Sequence, residues 1–353
     1  MSNSLGYSLT IIFISVLIIT SVIKYYLEKK YPGKLKPLSF FLNLTLALTP
    51  MFYLFAITLK WKFDVSYLPS GNGEDLTYSS FHIGWLLVMV FFTILLLGRA
   101  RNDSENKNRF IFNQLDAVDH TLFWAGIMLL GIETFKQIEY LTLKEGLDAY
   151  QWYGFPLQFC SLPIILYPIT PFIKNLKIKR ALYAFIGIFM TVGGLSVMII
   201  GQSVFTNSVA ISTHTMIWHG AMVPLSLYIL VARKIGGDFK DFWHAIAVLS
   251  FFVMVVQIVN VSFHFIALKH PSLKEFDGFF INPWLSNVNM PVLSNIRISL
   301  QQSGMHVIFV LILFSVVYLI AFAFGGIILF TLLHLPYAIK KIKEKRQDIV
   351  IYN

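Results

Sequence analysis

Charged residues are scarce in this chain, at 13% of its 353 residues, against roughly 25% in a typical soluble domain. Hydrophobic residues make up 56% of the sequence. They occur in unbroken blocks of roughly 20 residues, the length of helix that crosses about 30 Å of hydrocarbon. This composition excludes a water-soluble globular domain. It predicts an all-α fold, a polytopic bundle of transmembrane helices in contact with membrane lipids.

Cysteine is nearly absent, since Cys160 is the only one in the sequence. A single cysteine excludes an internal disulfide framework and a metal site built from cysteines. Cys160 is therefore either a small apolar residue of the helix packing or a thiol with a chemical role. A cleavable signal peptide is not expected either, because the first apolar run, near Leu9 to Ile23, lacks a preceding basic residue and a following cleavage site.

Hydropathy predicts about nine transmembrane helices. They lie near residues 8–26, 38–59, 81–98, 118–138, 155–173, 181–202, 210–232, 242–266 and 304–336. The last block is long enough to be divided at Gly325-Gly326 into a hairpin of two spans. A hairpin would place the basic C-terminal tail outside the cell, so we predict one long helix.

The 28 lysines and arginines are divided unevenly between the connecting segments. Alternate segments hold 21 of them: Lys24–Lys36, Arg99–Arg109, Lys174–Arg180, Arg233–Lys240 and Lys340–Arg346. The other side holds 7, including Lys136. Positive residues mark the cytoplasmic side, so an odd number of spans puts the N-terminus outside and the C-terminus in the cytoplasm. The net charge of +10 is then a topology signal, and we predict no nucleic-acid partner.

Three regions follow from this pattern. Residues 1–80 hold two N-terminal transmembrane helices and an outer loop, and residues 81–337 form the core bundle. Residues 338–353 form a basic cytoplasmic tail that is suited to contact with anionic lipid. A second long outer loop, 267–303, is predicted to lie along the membrane as a lid.

Polar side chains inside apolar spans are costly, so the places where they gather indicate functional sites. With the N-terminus outside, Cys160, His214 and His219 lie at similar depth in the outer half of the membrane. Other polar side chains of this half are Glu133, Gln202, Asn260 and His264. Taken alone, Gln202, Asn260 and His264 are explained by hydration near the interface, and Glu133 by snorkelling or a hydrogen bond to a neighbouring helix.

A cysteine and a histidine have a known joint chemistry. An imidazole takes the proton of a thiol, and the thiolate attacks an ester or thioester to form an acyl-enzyme. The spacing does not separate His214 from His219 as the base. The remaining parts of such a site have candidates too: Glu133 or Asn260 to orient the imidazole, and Gln158, Ser161 or Gln202 to donate to an oxyanion.

Two other functions would use the same residues. A transporter or lipid-binding protein would bind substrate or pass protons between Glu133 and the histidines. A haem or metal protein would use the histidines as ligands. His214 and His219, however, are five residues apart, about 140° around a helix, so a regular helix cannot turn both toward one metal. We predict no metal and no cofactor.

The local sequence around Cys160 resembles a known family. Phe155-Pro-Leu-Gln-Phe-Cys-Ser-Leu162, then Trp218-His219-Gly220 and Pro283-Trp284, are similar to the motifs of YwaF-like bacterial membrane proteins, which are related to vertebrate transmembrane protein 164. The likeness covers roughly His82 to Pro336. It implies a multi-pass protein of the bacterial plasma membrane and a phospholipid acyltransferase activity, with Cys160 as nucleophile and His219 as its histidine.

We therefore predict a membrane-embedded acyl-lipid enzyme, either a phospholipid acyltransferase or a lipid hydrolase, that works in the outer half of the bilayer. Cys160 and His219 would be catalytic. The supporting or substrate-binding residues would be His214, Glu133, Gln158, Gln202, Asn260 and His264. A non-enzymatic transporter or lipid-binding protein that uses the same polar residues is the alternative.

Overall fold

The computed structural model describes residues 4–31, 36–60, 76–106, 114–142, 150, 154–200, 204–206, 208–270, 276–284, 295, 298–300, 302–304 and 306–351. All regular elements of these residues are helical. The α-helices are α1 (Ser4–Lys30), α2 (Lys36–Lys60), α3 (Ser80–Glu105), α4 (Ala117–Thr142), α5 (Pro163–Ile169), α6 (Leu176–Phe185), α7 (Thr191–Ile200), α8 (Val209–Ala232), α9 (Phe239–Lys269) and α10 (Val307–Ile351). The all-helical prediction is confirmed.

The helices coincide with the predicted spans. Among the described residues, 6 helices are long and apolar enough to cross a membrane: α2, α3, the continuous α6–α7 segment, α8, α9 and α10. Two shorter apolar helices, Ile11–Leu27 and Phe159–Phe172, lie at two further predicted spans. The remaining predicted span, 118–138, corresponds to α4, which carries several charged side chains. The chain is thus a multi-pass membrane protein, while the number of crossings and the side of each terminus stay predictions.

Helix α8 lies at the centre of the bundle. It packs against α3, α4 and α7 and is the most buried of the long apolar helices, as expected of a helix that is hydrophobic on all sides. A Cβ atom added to Gly194 of α7 would lie 2.9 Å from a methyl group of Val223 and 3.1 Å from the carbonyl oxygen of His219. The absence of a side chain at Gly194 therefore lets α7 approach the part of α8 that carries His219.

Ion pairs connect the helices at one end of the bundle. The Arg233 guanidinium lies 2.7 Å from Asp116 and 2.6 Å from Asp119, and the Lys179 ammonium lies 2.5 Å from Asp119. Asp119 also accepts a hydrogen bond from the Tyr183 hydroxyl. Burial opposes ionisation of Asp116, but hydrogen bonds and the charge of Arg233 outweigh it and hold the Asp116 pKa below its ordinary value. These contacts join segments that the charge pattern assigned to one side of the membrane, and we call this the basic end.

Helix α10 is a single helix of 45 residues, as the sequence predicts. The glycine pair that suggested a hairpin allows close packing instead. A Cβ atom on Gly325 would lie 2.9 Å from a methyl group of Val192, and one on Gly326 would lie 2.6 Å from the ring of Phe189. The structure does not describe the side chains of the basic tail, 338–353. The contact of this tail with anionic lipid stays a prediction.

The outer loop differs from its prediction. Residues 276–284, the part of it that the structure describes most fully, turn back into the bundle rather than lying along the membrane. Phe276, Phe279, Ile281 and Asn282 are completely buried there. The physical reason is apolar burial combined with internal hydrogen bonding: the Asp277 carboxylate accepts from the Asn282 backbone N–H at 2.8 Å, so the polar backbone of the turn is satisfied without water. We call residues 276–284 the re-entrant loop.

Candidate active site

Cys160 lies at the start of a short helical segment. A 3-10 turn, Phe159–Ser161, leads directly into α5, and Pro163 occupies the first position of that helix, where its fixed φ angle is favourable. The Cys160 side chain is half-buried, and the Ser161 hydroxyl lies within hydrogen-bonding reach of its thiol.

Trp218 connects this turn to α8. Its indole N–H donates a hydrogen bond of 2.7 Å to the backbone carbonyl of Cys160, and its ring stacks on the imidazole of His214, with 5.3 Å between centroids. On the other side of the turn, a Cβ atom on Gly193 would lie 2.8 Å from the ring of Phe159. The turn that carries Cys160 is therefore held between α7 and α8, next to the neighbour of His219.

His219 has a defined tautomer. Its Nδ1 lies 2.9 Å from the carbonyl oxygen of Thr215, and because a carbonyl only accepts, Nδ1 carries the proton and donates it. Nε2 is then the basic nitrogen of the neutral ring. It is buried and has no hydrogen-bond partner among the described residues. His219 is thus arranged as a general base whose accepting nitrogen is unoccupied.

Glu133 is the centre of a buried polar cluster on α4. One carboxylate oxygen accepts from the Lys136 ammonium at 2.8 Å and from the Gln137 amide at 2.6 Å. The other oxygen lies 3.9 Å from His214 Nε2, a distance too long for a hydrogen bond. Neither of those two atoms has a hydrogen-bond partner among the described residues. Gln137 accepts from the hydroxyl of Tyr150 at 2.5 Å, which connects the cluster to a residue beyond the end of α4.

Lys136 belongs to this site although the sequence interpretation counted it only as an outer-side charge. Its side chain is 12% exposed, and its positive charge acts on Cys160, His214 and His219. The spacing of Lys136 from Glu133 could have identified it, because residues three apart lie on one face of a helix and Glu133 was a predicted site residue. Trp218 carried no such signal, since its hydrogen bond depends on how two helices pack.

Two of the predicted site residues hold the re-entrant loop. The Asn260 side chain accepts from the Gly278 N–H at 2.7 Å and donates to the Gly278 carbonyl at 3.1 Å. The Gln158 amide donates to the Asp277 carbonyl at 2.7 Å. The hydrogen bonds of the Asn260 side chain among the described residues go to the loop backbone and to Gln257, and none of them goes to an imidazole. Gln158 binds the loop and also precedes the turn that carries Cys160.

The re-entrant loop reaches the cysteine turn with an aromatic residue. The Phe279 ring packs edge-on against Phe159, with 5.7 Å between centroids, and stacks on Tyr318 at 5.8 Å. Phe279 and Phe280 both have φ angles in the left-handed region, 55° and 57°, which costs about 1–2 kcal/mol per residue for an L-amino acid. Strain of this size persists only where the surroundings determine the conformation.

Two further predicted residues lie apart from this arrangement. His264 stacks on Trp284, with parallel rings and 3.9 Å between centroids, so it packs against the end of the re-entrant loop. Gln202 lies outside the described residues. Within the described part of the chain, no group of three or more histidine, cysteine, aspartate or glutamate side chains is arranged to hold a metal ion.

The role of Asn260 in holding the loop leads to a prediction. Asn260→Ala removes both partners of Gly278, whose buried polar groups would each cost about 1–3 kcal/mol when unsatisfied. We expect hydrogen exchange of the amides at 276–284 to rise about tenfold or more, measured by mass spectrometry. Ser262→Ala, an exposed position of the same helix, is the control, and equal exchange in both variants would contradict the role assigned to Asn260.

The chain is similar in sequence to a known family of membrane proteins. The sequence model of the TMEM164 family matches residues 77–285, which is more than half of the chain and runs from just before α3 to the end of the re-entrant loop. The matched range includes the Cys160 turn, α8 and the Glu133 cluster. No curated protein and no solved structure matches the chain. The match supports the resemblance to transmembrane protein 164, although not the narrower YwaF-like label, and the chain belongs to the TMEM164 family.

Proposed function

We propose that this protein is a membrane-embedded acyl-lipid enzyme, a phospholipid acyltransferase or lipid hydrolase, with Cys160 as nucleophile and His219 as general base. The observation that carries the proposal is the state of His219. Its Nδ1 donates a hydrogen bond to the Thr215 carbonyl, and its basic Nε2 is buried and has no hydrogen-bond partner among the described residues. His219 is also the neighbour of the tryptophan that binds Cys160. A neutral imidazole in this state accepts a thiol proton.

The reaction would proceed in two balanced steps. The Cys160 thiol gives its proton to His219 Nε2, and the thiolate sulfur attacks the ester carbonyl of a phospholipid. The carbon–oxygen bond breaks, the leaving alkoxide takes the proton from His219, and a lysophospholipid departs, which leaves a thioester on Cys160. A lysophospholipid hydroxyl or water then gives its proton to His219 and attacks the thioester carbonyl. The carbon–sulfur bond breaks, the acylated product departs, and the Cys160 thiolate takes the proton back from His219.

The apolar surroundings of the cysteine turn suit an acyl substrate. Lys136 and Glu133, which form an ion pair, act on Cys160 with opposite charges, so the proposal rests on His219 as the base and not on a net positive field. The walls around the cysteine turn are aromatic: Phe322 packs against Phe159 with 4.4 Å between centroids and against Tyr318 at 4.7 Å. Walls of this kind accommodate an acyl chain by apolar contact and exclude bulk water.

The proposal is tested by capture of the acyl-enzyme. Purified protein is incubated with a phospholipid that carries a labelled acyl chain, quenched in acid and separated from free lipid. We expect label on the protein that neutral hydroxylamine removes, as it does from thioesters but not from amides, and peptide mapping should place it on Cys160. Label that resists hydroxylamine, or label on another residue, would overturn the proposal.

A second candidate, a transporter or lipid-binding protein, is favoured by one observation. Glu133 and His214 present two buried polar atoms to each other, 3.9 Å apart and without other hydrogen-bond partners among the described residues. A pair of this kind passes a proton when a water or a small movement bridges it. Movement of a labelled lysophospholipid across liposomes that persists in Cys160→Ala and stops in Glu133→Gln would favour this function.

A further inference from the structure

Tyr318 on α10 is a buried polar side chain close to the cysteine turn. It is only 1% exposed, and its contacts among the described residues are the rings of Phe279 and Phe322 and an electrostatic interaction with Cys160. Its hydroxyl makes no hydrogen bond to another described residue. Because the hydroxyl of a buried tyrosine usually has a partner, a partner that is present only when a substrate is bound accounts for this one.

Four aromatic rings form one wall of the cysteine turn. The ring of Phe159 contacts Phe279 and Phe322, with 5.7 Å and 4.4 Å between centroids. The ring of Tyr318 contacts the same two residues, at 5.8 Å and 4.7 Å. Tyr318 is the one member of these four that carries a polar group, and Phe159 immediately precedes Cys160. The wall therefore brings a single hydroxyl into the apolar surroundings of the thiol.

Hydrogen bonds fix the rotation of α10 that directs Tyr318 to this wall. The Gln257 amide of α9 donates to the Ser315 hydroxyl at 2.7 Å and to the Ile281 carbonyl of the re-entrant loop at 3.1 Å. Ser315 precedes Tyr318 by three residues, so both lie on one face of α10. The face that is bound to α9 and the loop is thus the face that carries Tyr318.

A cysteine nucleophile requires a hydrogen-bond donor for the oxyanion that forms on the substrate carbonyl. The donors predicted from the sequence do not supply it in the structure. The Gln158 amide donates to the re-entrant loop, the Ser161 hydroxyl lies within hydrogen-bonding reach of the thiol itself, and Gln202 lies outside the described residues. Tyr318, by contrast, is a described donor near Cys160 whose proton has no acceptor in the protein.

We propose that Tyr318 is the oxyanion donor of the acyl-lipid site. Its hydroxyl donates a hydrogen bond to the substrate carbonyl oxygen as the Cys160 sulfur attacks the carbonyl carbon. This role rests on the proposed function and adds a catalytic residue to it. The base, His219, and the donor, Tyr318, then come from different helices, α8 and α10, and act on the same reacting group.

The step has a defined balance of protons and electrons. Cys160 gives its proton to His219 Nε2, a bond forms between the sulfur and the carbonyl carbon, and the π electron pair of the carbonyl moves to its oxygen. Tyr318 keeps its own proton and stabilises this oxygen through the hydrogen bond. Loss of one such donor typically slows a reaction by about 100- to 1,000-fold. Reactions of the thiol that form no oxyanion do not depend on the donor.

The test compares two reagents on the purified wild type and on Tyr318→Phe, which keeps the ring and its packing. A long-chain alkyl trifluoromethyl ketone adds to a thiolate and gives a tetrahedral oxyanion, which fluorine NMR detects. A long-chain alkyl iodoacetamide alkylates the same thiol by displacement of iodide and gives no oxyanion. We expect Tyr318→Phe to bind the ketone at least about tenfold more weakly and to be alkylated at the wild-type rate.

Matched variants complete the comparison. Tyr167 is also completely buried, and its hydroxyl lies 3.3 Å from that of Ser226, so Tyr167→Phe removes a buried hydroxyl that the proposed reaction does not use. This variant should match the wild type with both reagents. Cys160 is the single cysteine of the chain, so Cys160→Ala should react with neither reagent and defines the baseline.

Failure of the Tyr318 role and failure of the proposed function give different results. A wild type that forms no ketone adduct above the Cys160→Ala baseline would overturn both together. A ketone adduct of equal affinity in the wild type and Tyr318→Phe would retain the nucleophile and overturn the role of Tyr318. Equal slowing of both reagents in Tyr318→Phe would also overturn it, because that pattern indicates altered packing of the cysteine turn.

Discussion

Replacement of Cys160 by alanine is expected to lower acyl transfer from phospholipid at least about 1,000-fold, because no acyl-enzyme can form without its sulfur. Cys160→Ser should lose a similar factor while it preserves volume and polarity, since a hydroxyl is a much weaker acid than a thiol. The measurement is turnover of a labelled phospholipid in reconstituted vesicles. Because serine preserves the size of the side chain, a loss of turnover in Cys160→Ser reflects the missing thiol rather than altered packing.

His219→Ala should lose about as much activity as Cys160→Ala, and the double variant should lose little more, because residues that act as one catalytic unit are strongly non-additive. His334→Ala is the control. That imidazole lies 3.0 Å from the Gly236 carbonyl at the basic end, far along the chain from the site, and its loss should leave turnover unchanged. Turnover within about threefold of the wild type in either single variant would show that another group carries the reaction.

Arg233→Met is expected to destabilise the protein by about 3–5 kcal/mol, because removal of one partner leaves buried charge uncompensated. Asp119 is the residue most affected, with its side chain 4% exposed and 2.6 Å from the guanidinium. Lys179 still contacts Asp119, so the cost arises from the shared network rather than from one isolated pair. The measurement is the thermal or denaturant unfolding of purified protein in a fixed detergent.

Lys234→Met provides the matched control for Arg233→Met. It removes the same charge one residue further on, at an exposed position, and should change stability by no more than about 0.5 kcal/mol. A similar loss of stability in both variants would mean that net charge at the basic end, rather than the buried network, stabilises the bundle.

Much of the fold could be predicted from the sequence because the bilayer constrains it so strongly. Apolar blocks of fixed length predict helices, and each predicted span coincides with one. The positive charges of the tail also predicted that α10 is one helix, because a hairpin would have moved the basic tail to the other side of the membrane. The re-entrant loop could not be predicted, because its burial depends on side chains of α9, such as Asn260, that bind its backbone.

The candidate site was predictable only in part. Cys160 and His219 could be identified from a local motif and a resemblance, and Glu133 from the cost of a charge inside a span. The direction in which each side chain points could not be predicted, because the rotation of a helix about its own axis depends on the helices packed against it. Thus Asn260, expected near the imidazole, binds the loop, and Lys136, counted as an outer charge, lies against Glu133.

The sequence by itself determined that this protein is a multi-pass helical bundle and which residues carry reactive groups, because hydrocarbon thickness and side-chain chemistry are local properties. Only the tertiary structure decided which of those groups meet. The contact between Trp218 and Cys160 arises because α7 has glycine where it packs against α8 and the cysteine turn. The re-entrant loop, likewise, is held only where the Asn260 side chain of α9 meets the backbone of Gly278.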